Sequence, residues 1–266
     1  MKRVCLAVVA ALLLQMPVCG ADPVGNEQVS GQLSTSQGET TAGDLCISGA
    51  DTDPSAFVVV EDENIVREIR YRTSHNFTGS PVPGYRDDIV LLTRPAAQAL
   101  KKAARLAAKD GYRLKIYDSY RPQQAVDGFM SWAGDAQNMG LKEEFYPDLQ
   151  KNELFRLGYV ARKSSHTRGS AVDLTLVDAD GKELDMGGTY DYFGRISHYG
   201  YSGISKKAAA NRAYLRGIMD AAGFRPLFNE WWHFSLKKEP YPQLYFRFPL
   251  EERYVKEARP CYEAAK

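Results

Sequence analysis

Along the chain the spacing of apolar residues switches between the two-residue period of strands and the longer period of helices, without the regular alternation of a doubly wound sheet. Residues 56–60 are β-rich, and residues 65–71 alternate apolar and polar in the manner of a half-buried strand. Residues 95–109 are rich in Ala, Leu and Lys, with Pro95 at the start, which predicts a helix ended by Asp110-Gly111. A strand over 114–117 runs into Asp118-Ser119-Tyr120-Arg121-Pro122, and helices are expected over 123–133 and 143–157. A strand over 170–177 leads to the turn Asp178-Ala179-Asp180-Gly181, and a helix over 206–222 closes at Gly223. Residues 231–236 form the last strong strand. The pattern is α+β, with helices flanking a central, mostly antiparallel sheet in one domain over 46–266.

The start of the chain falls outside this pattern. Met1-Lys2-Arg3 is a short basic start, residues 5–14 are apolar, and Cys19-Gly20-Ala21 is a small-residue exit before Asp22-Pro23. Basic start, short apolar run and small-residue exit are the layout of a secretory signal peptide over 1–21, cleaved after Ala21. The alternative is lipid attachment at Cys19, for which Met16-Pro17-Val18 is a poor lipoprotein box. From Asp22 to about Asp44 there is almost no large apolar side chain to offset the entropy of ordering, so a flexible leader is expected over 22–45. Export to the periplasm or another extracytoplasmic space is the resulting expectation.

Composition adds bounds rather than identity. A chain with 44% hydrophobic and 25% charged residues is an ordinary globular protein. A net charge of +1 argues against nucleic acid or an anionic membrane surface as the main partner. No later apolar stretch is long enough for stable membrane insertion. Once Cys5 and Cys19 leave with the signal, Cys46 and Cys261 remain, one near each end of the folded part. In an oxidising compartment two leftover cysteines most simply pair; the other reading is two free thiols.

Chemistry concentrates around two of the four histidines. His166 stands in Ser164-Ser165-His166-Thr167-Arg168-Gly169-Ser170-Ala171-Val172-Asp173, and His233 in Glu230-Trp231-Trp232-His233. A catalytic zinc takes three N/O ligands and leaves one position open, and His166, Asp173 and His233 supply such a set. A carboxylate beside the site must take the proton of the attacking water, and Glu230 is placed for that. Positions 230 and 233 would face opposite ways on a regular strand, so a bend or bulge between them is required. Taken singly, each residue has a blander reading as loop, surface or core; the joint pattern is what gives the chemistry weight.

These residues resemble the zinc D-alanyl-D-alanine dipeptidases of the vancomycin-resistance type, within the D,D-carboxypeptidase group of metallopeptidases. The similarity includes Asn76-Phe77-Thr78-Gly79, Tyr117-Asp118-Ser119-Tyr120-Arg121-Pro122-Gln123, the His166 and Asp173 motif through Leu176, Met186-Gly187 with Tyr190-Asp191, and Glu230-Trp231-Trp232-His233. The resemblance implies one zinc ion on His166, Asp173 and His233, with Glu230 as general base. It implies Arg121 at the carbonyl oxygen of the substrate, where the competing reading is a structural salt bridge with Asp118. Asp191 and Ser164 match the positions that grip the free amino group of a small dipeptide. Gly187-Gly188-Thr189-Tyr190 is one residue shorter than the expected family form, which leaves the register of Asp191 open. His198 reads as structural or supporting, His75 as surface or packing, and the sequon at Asn76 as coincidental.

Two rivals follow from the same residues. One is a D,D- or L,D-carboxypeptidase or endopeptidase acting on peptidoglycan stem peptides. The other is a zinc-bearing binding module without catalysis, as in the related Hedgehog signalling domain, against which an intact Glu230 and Arg121 speak.

Overall fold

The computed structural model describes residues 45–261. The expected signal peptide and nearly all of the expected leader lie outside the described residues. The strands and helices are, in chain order, β1 (Cys46–Ile47), β2 (Phe57–Val59), β3 (Ile65–Arg67), β4 (Leu91–Thr93), α1 (Arg94–Lys109), β5 (Arg113–Asp118), α2 (Gln123–Gly134), α3 (Lys142–Phe145), α4 (Lys151–Arg156), β6 (Ala171–Val177), α5 (Lys206–Ala222), β7 (Phe224–Leu227), β8 (Glu230–Leu236), α6 (Glu252–Glu257) and β9 (Arg259–Pro260).

Five strands form the main sheet in the order β3-β5-β6-β8-β7. Only β3 and β5 run parallel, and the other neighbours are antiparallel, so the sheet is mixed and mostly antiparallel. Every residue of β6 and of β8 is buried, as expected for central strands covered on both faces. In α1 the buried positions are Ala96, Ala97, Leu100, Ala103, Ala104 and Ala107, a helical stripe of mostly small side chains. That stripe brings α1 close to α5 and to β4 and β5. The ends of α5 follow sequence chemistry: the Ser205 hydroxyl accepts from the Ala208 N–H at 3.0 Å, and Gly223 closes the helix at φ 105°.

Two expected elements differ. The single helix expected over 143–157 is two short helices, α3 and α4, because Pro147 cannot donate to a helix ladder and drives Tyr146 out of helical geometry (φ −151°). The strand expected over 65–71 ends at Arg67, and a 3-10 turn at Arg70–Arg72 follows. That turn buries Tyr71 instead of continuing the alternation.

The two cysteines are paired, Cys46 to Cys261, across 215 residues of chain. In a chain-entropy account, closing a loop of that length removes about 5 kcal/mol of unfolded-state freedom. A disulfide is the usual mark of an oxidising compartment. Among the described residues no helix is long and apolar enough to cross a membrane.

Candidate active site and metal centre

Three side chains stand in a row across three strands. Asp173 on β6 lies opposite His233 on β8 and, on its other side, opposite Asp118 on β5. Directly opposed residues project to one face of a sheet, so the register alone brings the three together. Tyr117 is the extra residue that makes this possible, since the β5–β6 register shifts between Ile116 and Asp118.

The irregularity required between Glu230 and His233 is present. Pro226 pairs with Phe234, but Leu227 pairs with Glu230, so residues 231–233 of β8 have no counterpart on β7. Glu230 and His233 consequently line the same cavity instead of facing opposite ways. Trp231 and Trp232, between them, are buried and meet edge to face, as expected of packing residues.

His166 arrives on a loop closed by glycine. The Gly169 N–H donates to the His166 carbonyl at 2.8 Å, and Gly169 sits at φ 64° against the ring of Phe57. A Cβ there would fall 2.3 Å from that ring, so the glycine of the motif is required by both conformation and space. The His166 Nδ1 lies 2.7 Å from the Ser119 carbonyl. A carbonyl only accepts, so Nδ1 carries the proton and Nε2 presents its lone pair to the site.

The donor atoms converge tightly. The His166 Nε2 is 3.2 Å from Asp173 Oδ1 and 3.0 Å from His233 Nδ1, which is itself 3.0 Å from Asp173 Oδ1. Among the described residues this is the group of His, Cys, Asp and Glu side chains that could hold a metal ion. Ser235 supports it from outside, its hydroxyl 3.0 Å from the His233 Nε2. Burial favours the neutral imidazole of His233 and lowers its pKa, although Asp173 pulls the other way. Burial alone would raise the Asp173 pKa, but the His166 and His233 imidazoles outweigh it and hold the carboxyl well below its usual range.

Around the three donors lies a cavity of about 420 Å³ that also takes in Arg121, Tyr71, Asp191, Ser164 and Glu230. That volume is at the small end of the range of about 300–1,000 Å³ for ligand pockets. Glu230 is 7% exposed, and its pKa is raised by burial first and by the charges of Asp173 and Asp191 next. Arg121 makes the salt bridge that competed with its functional reading: Nε and Nη2 lie 2.9 and 2.8 Å from Asp118 Oδ2. The same guanidinium also lines the cavity, and its Nη2 is 3.6 Å from Asp173 Oδ2. Asp118 is fixed in turn by the Tyr85 hydroxyl and the Ser119 N–H, each donating at 2.8 Å.

Asp191 enters the cavity despite the shortened stretch before it. It is the one non-glycine residue at positive φ (59°) among the described residues, a conformation that Asp tolerates better than most and that is common at functional sites. Tyr71 donates from its hydroxyl to Asp191 Oδ2 at 2.8 Å, and the Arg121 guanidinium lies over the Tyr71 ring at 5.0 Å. Burial and the Asp173 charge push Asp191 up to about 8. The Ser164 hydroxyl accepts from the His166 N–H at 3.2 Å and also lines the cavity.

Sequence reasoning missed Tyr71, Tyr85 and the place of Asp118 in one row with Asp173 and His233. For Asp118 a signal existed, an acid at the end of a buried strand, but nothing local to Tyr71 distinguished it from a core aromatic. His198 is held by the Tyr159 hydroxyl at 2.8 Å, and His75 is an exposed partner of Glu144, both as expected. The Asn76 side chain is buried and shared among Thr73, Thr78 and Ser80, which makes it a turn residue and no sugar acceptor.

The family profile described as D-ala-D-ala dipeptidase matches residues 55–251. The chain belongs to that family. As a D-ala-D-ala dipeptidase family member it is a metallopeptidase, with the His-Asp-His cluster as its metal-type site. Curated relatives agree. A D-alanyl-D-alanine dipeptidase of Enterococcus faecium is 46% identical over 185 residues, 69% of this chain and 92% of the relative. One from Streptomyces coelicolor is 42% identical over 200 residues, 75% of this chain and 99% of the relative. One from Escherichia coli K12 is 36% identical over 182 residues, 68% of this chain and 84% of the relative.

Proposed function

We propose that this family member hydrolyses D-Ala-D-Ala or a closely related free dipeptide, in an extracytoplasmic space, with one zinc ion on His166, Asp173 and His233. The observation that carries the substrate reading is the pairing of a small cavity with a buried carboxylate, Asp191, that is not one of the three converging donors. A buried carboxylate has a partner when a substrate brings a free ammonium, which selects a dipeptide over a polymer. Export is supported by the basic, apolar and small-residue start of the chain and by the disulfide.

Zinc fits the donor set. Tetrahedral bonds of about 2.0–2.1 Å place ligand atoms about 3.3 Å apart, close to the 3.0–3.2 Å separations of the three donors. When bound, such an ion polarises the scissile carbonyl and makes a water more acidic. The remaining steps belong to the chain. Asp191, with Ser164 lining the same cavity, anchors the ammonium and sets the scissile bond over the donors. Glu230 takes a proton from the attacking water as its oxygen bonds to the carbonyl carbon. Negative charge gathers on the former carbonyl oxygen, where the fixed Arg121 guanidinium faces it. Glu230 then passes the proton to the departing nitrogen as the C–N bond breaks, and its raised pKa suits both halves of that transfer.

A panel of free and N-acetylated D,D-, L,D- and L,L-dipeptides tests the substrate reading. Cleavage of free D-Ala-D-Ala with less than about 1% of that rate on the N-acetyl form is expected, the size of effect that an unpaired buried carboxylate produces. Equal cleavage of both would favour a stem-peptide carboxypeptidase instead. Treatment with a chelator is expected to abolish hydrolysis and lower Tm, and one equivalent of zinc should restore both. Activity that survives complete metal removal would refute the metal assignment.

A further inference from the structure

The profile shared with the family covers residues 55–251, and the two stretches just outside it meet each other. β1 pairs in parallel with β9, and Cys46 is bonded to Cys261 beside them. Tyr254, on α6, is buried, and its hydroxyl lies 3.0 and 3.1 Å from the carbonyls of Cys46 and Thr52, which share its proton. The two ends of the described residues thus form a clasp closed by one disulfide and one tyrosine.

The clasp reaches the active site through stacked rings. Tyr254 stacks on Phe248 with centroids 5.5 Å apart and planes 6° apart. Phe248 stacks in turn on Tyr120 at 4.6 Å and 28°. The Tyr120 hydroxyl donates to the Phe248 carbonyl at 2.7 Å, so ring and backbone are tied together. Tyr120 is wholly buried and sits between two residues that grip the His166 loop. On one side the Ser119 carbonyl accepts from His166 Nδ1, and on the other the Arg121 N–H donates to the His166 carbonyl at 3.3 Å. The strip beneath is bonded the same way: the Phe246 N–H donates to the Thr167 carbonyl, and the Phe246 carbonyl accepts from the Gln123 N–H.

We propose that Tyr254 and the Cys46–Cys261 clasp position Arg121 for catalysis, through the stack Tyr254–Phe248–Tyr120. Glu230 is held by β8, a separate element, so a shift of the Ser119–Arg121 segment changes the distance between the base and the cation. Small misplacements at a reacting centre are expensive in rate, about 10²-fold for 1 Å. The clasp therefore acts on turnover more than on affinity, since Asp191 and Tyr71 belong to other segments. The proposal rests on the reading of Arg121 as the cation facing the substrate's carbonyl oxygen.

Tyr254→Ala, with the disulfide intact, is the primary test, and Cys46→Ser/Cys261→Ser is the second. Both are assayed with zinc-loaded protein on D-Ala-D-Ala, at a temperature where circular dichroism shows each fully folded. The expected result is a kcat lower by about tenfold, KM within about twofold and one zinc per chain. Tyr254→Phe keeps the ring stack but loses the hydroxyl bonds to Cys46 and Thr52, so its kcat should lie between those of the wild type and Tyr254→Ala. Lowered Tm with kcat unchanged in Tyr254→Ala would reduce the clasp to a stabilising device and overturn the proposal. Equal loss in Tyr254→Phe and Tyr254→Ala would also overturn it. Arg121→Ala separates the two levels: if it keeps full kcat, the reading of Arg121 itself fails. If Arg121→Ala loses kcat and Tyr254→Ala does not, only the clasp's role fails.

Discussion

Glu230→Gln is expected to lower kcat on D-Ala-D-Ala by about 10²–10⁴-fold, the usual contribution of a positioned acid–base group, while zinc content and fold stay intact. Glutamine keeps the shape of the side chain and cannot take a proton. Two measurements protect the interpretation. Metal content by mass spectrometry should remain one per chain, because Glu230 is not among the three converging donors. Thermal stability should not fall. Burial and the charges of Asp173 and Asp191 raise the folded-state pKa of Glu230, so ionising it opposes folding. Its contribution is fully present below the pKa of an unfolded glutamate and is lost as pH rises through the raised value. Removing the ionisable group should leave Tm unchanged at low pH and raise it at alkaline pH. A Glu230→Gln protein that hydrolyses the dipeptide at the wild-type rate would defeat the proposed mechanism.

The second large effect concerns Asp191, where stability and activity should move in opposite directions. The carboxyl is 3% exposed and titrates at about 8 in the folded chain, against 3.8 for the ordinary group. Stability linked to it is present below about 3.8 and is lost as pH rises through about 8. A difference of that size corresponds to roughly 6 kcal/mol as a ceiling, since each unit is about 1.4 kcal/mol. Asp191→Asn should therefore raise the Tm of the metal-stripped protein at pH 8 and leave it nearly unchanged at pH 4. Asparagine tolerates the positive φ of this position and still accepts from the Tyr71 hydroxyl. The same variant should lose about a hundredfold in kcat/KM on a free dipeptide, because a buried ammonium then lacks its charged partner. Below pH 8 the wild-type kcat/KM should climb with pH as Asp191 ionises, and the variant should lack that limb. A variant that is destabilised at pH 8, or that keeps its preference for the free amine, would remove Asp191 from the amino-end role.

The two motifs that hold the metal donors were legible because their chemistry is local. The loop around His166 needs a glycine at Gly169 for a left-handed turn against Phe57, and the sequence has it. The contradiction between three-residue spacing and strand geometry at Glu230 and His233 announced an irregular strand, and the β7–β8 register supplies it. Helices α1 and α5 were legible from their stripes and from Asp110-Gly111 and Gly223. The 143–157 region was misread because apolar spacing was weighed above Pro147, which interrupts a helix whatever the periodicity around it. Tyr71 was not legible for a different reason. Burial of an aromatic ring looks the same in sequence whether its hydroxyl meets a core carbonyl or an active-site carboxylate.

By itself, then, the sequence determined a mostly antiparallel sheet with two long helices, the residue types of a donor set with an acid three residues from one of them, and the resemblance to the family. Those depend on period, turn chemistry and residue type over short stretches of chain. Only the tertiary structure decided that Asp118, Asp173 and His233 share one row and that Tyr71 holds Asp191. It also decided that the two ends of the described residues close on each other and reach the active site through Tyr120. Each of these depends on strand register or on contacts between segments more than 30 residues apart, and a register shift of one residue turns every side chain of a strand to its other face.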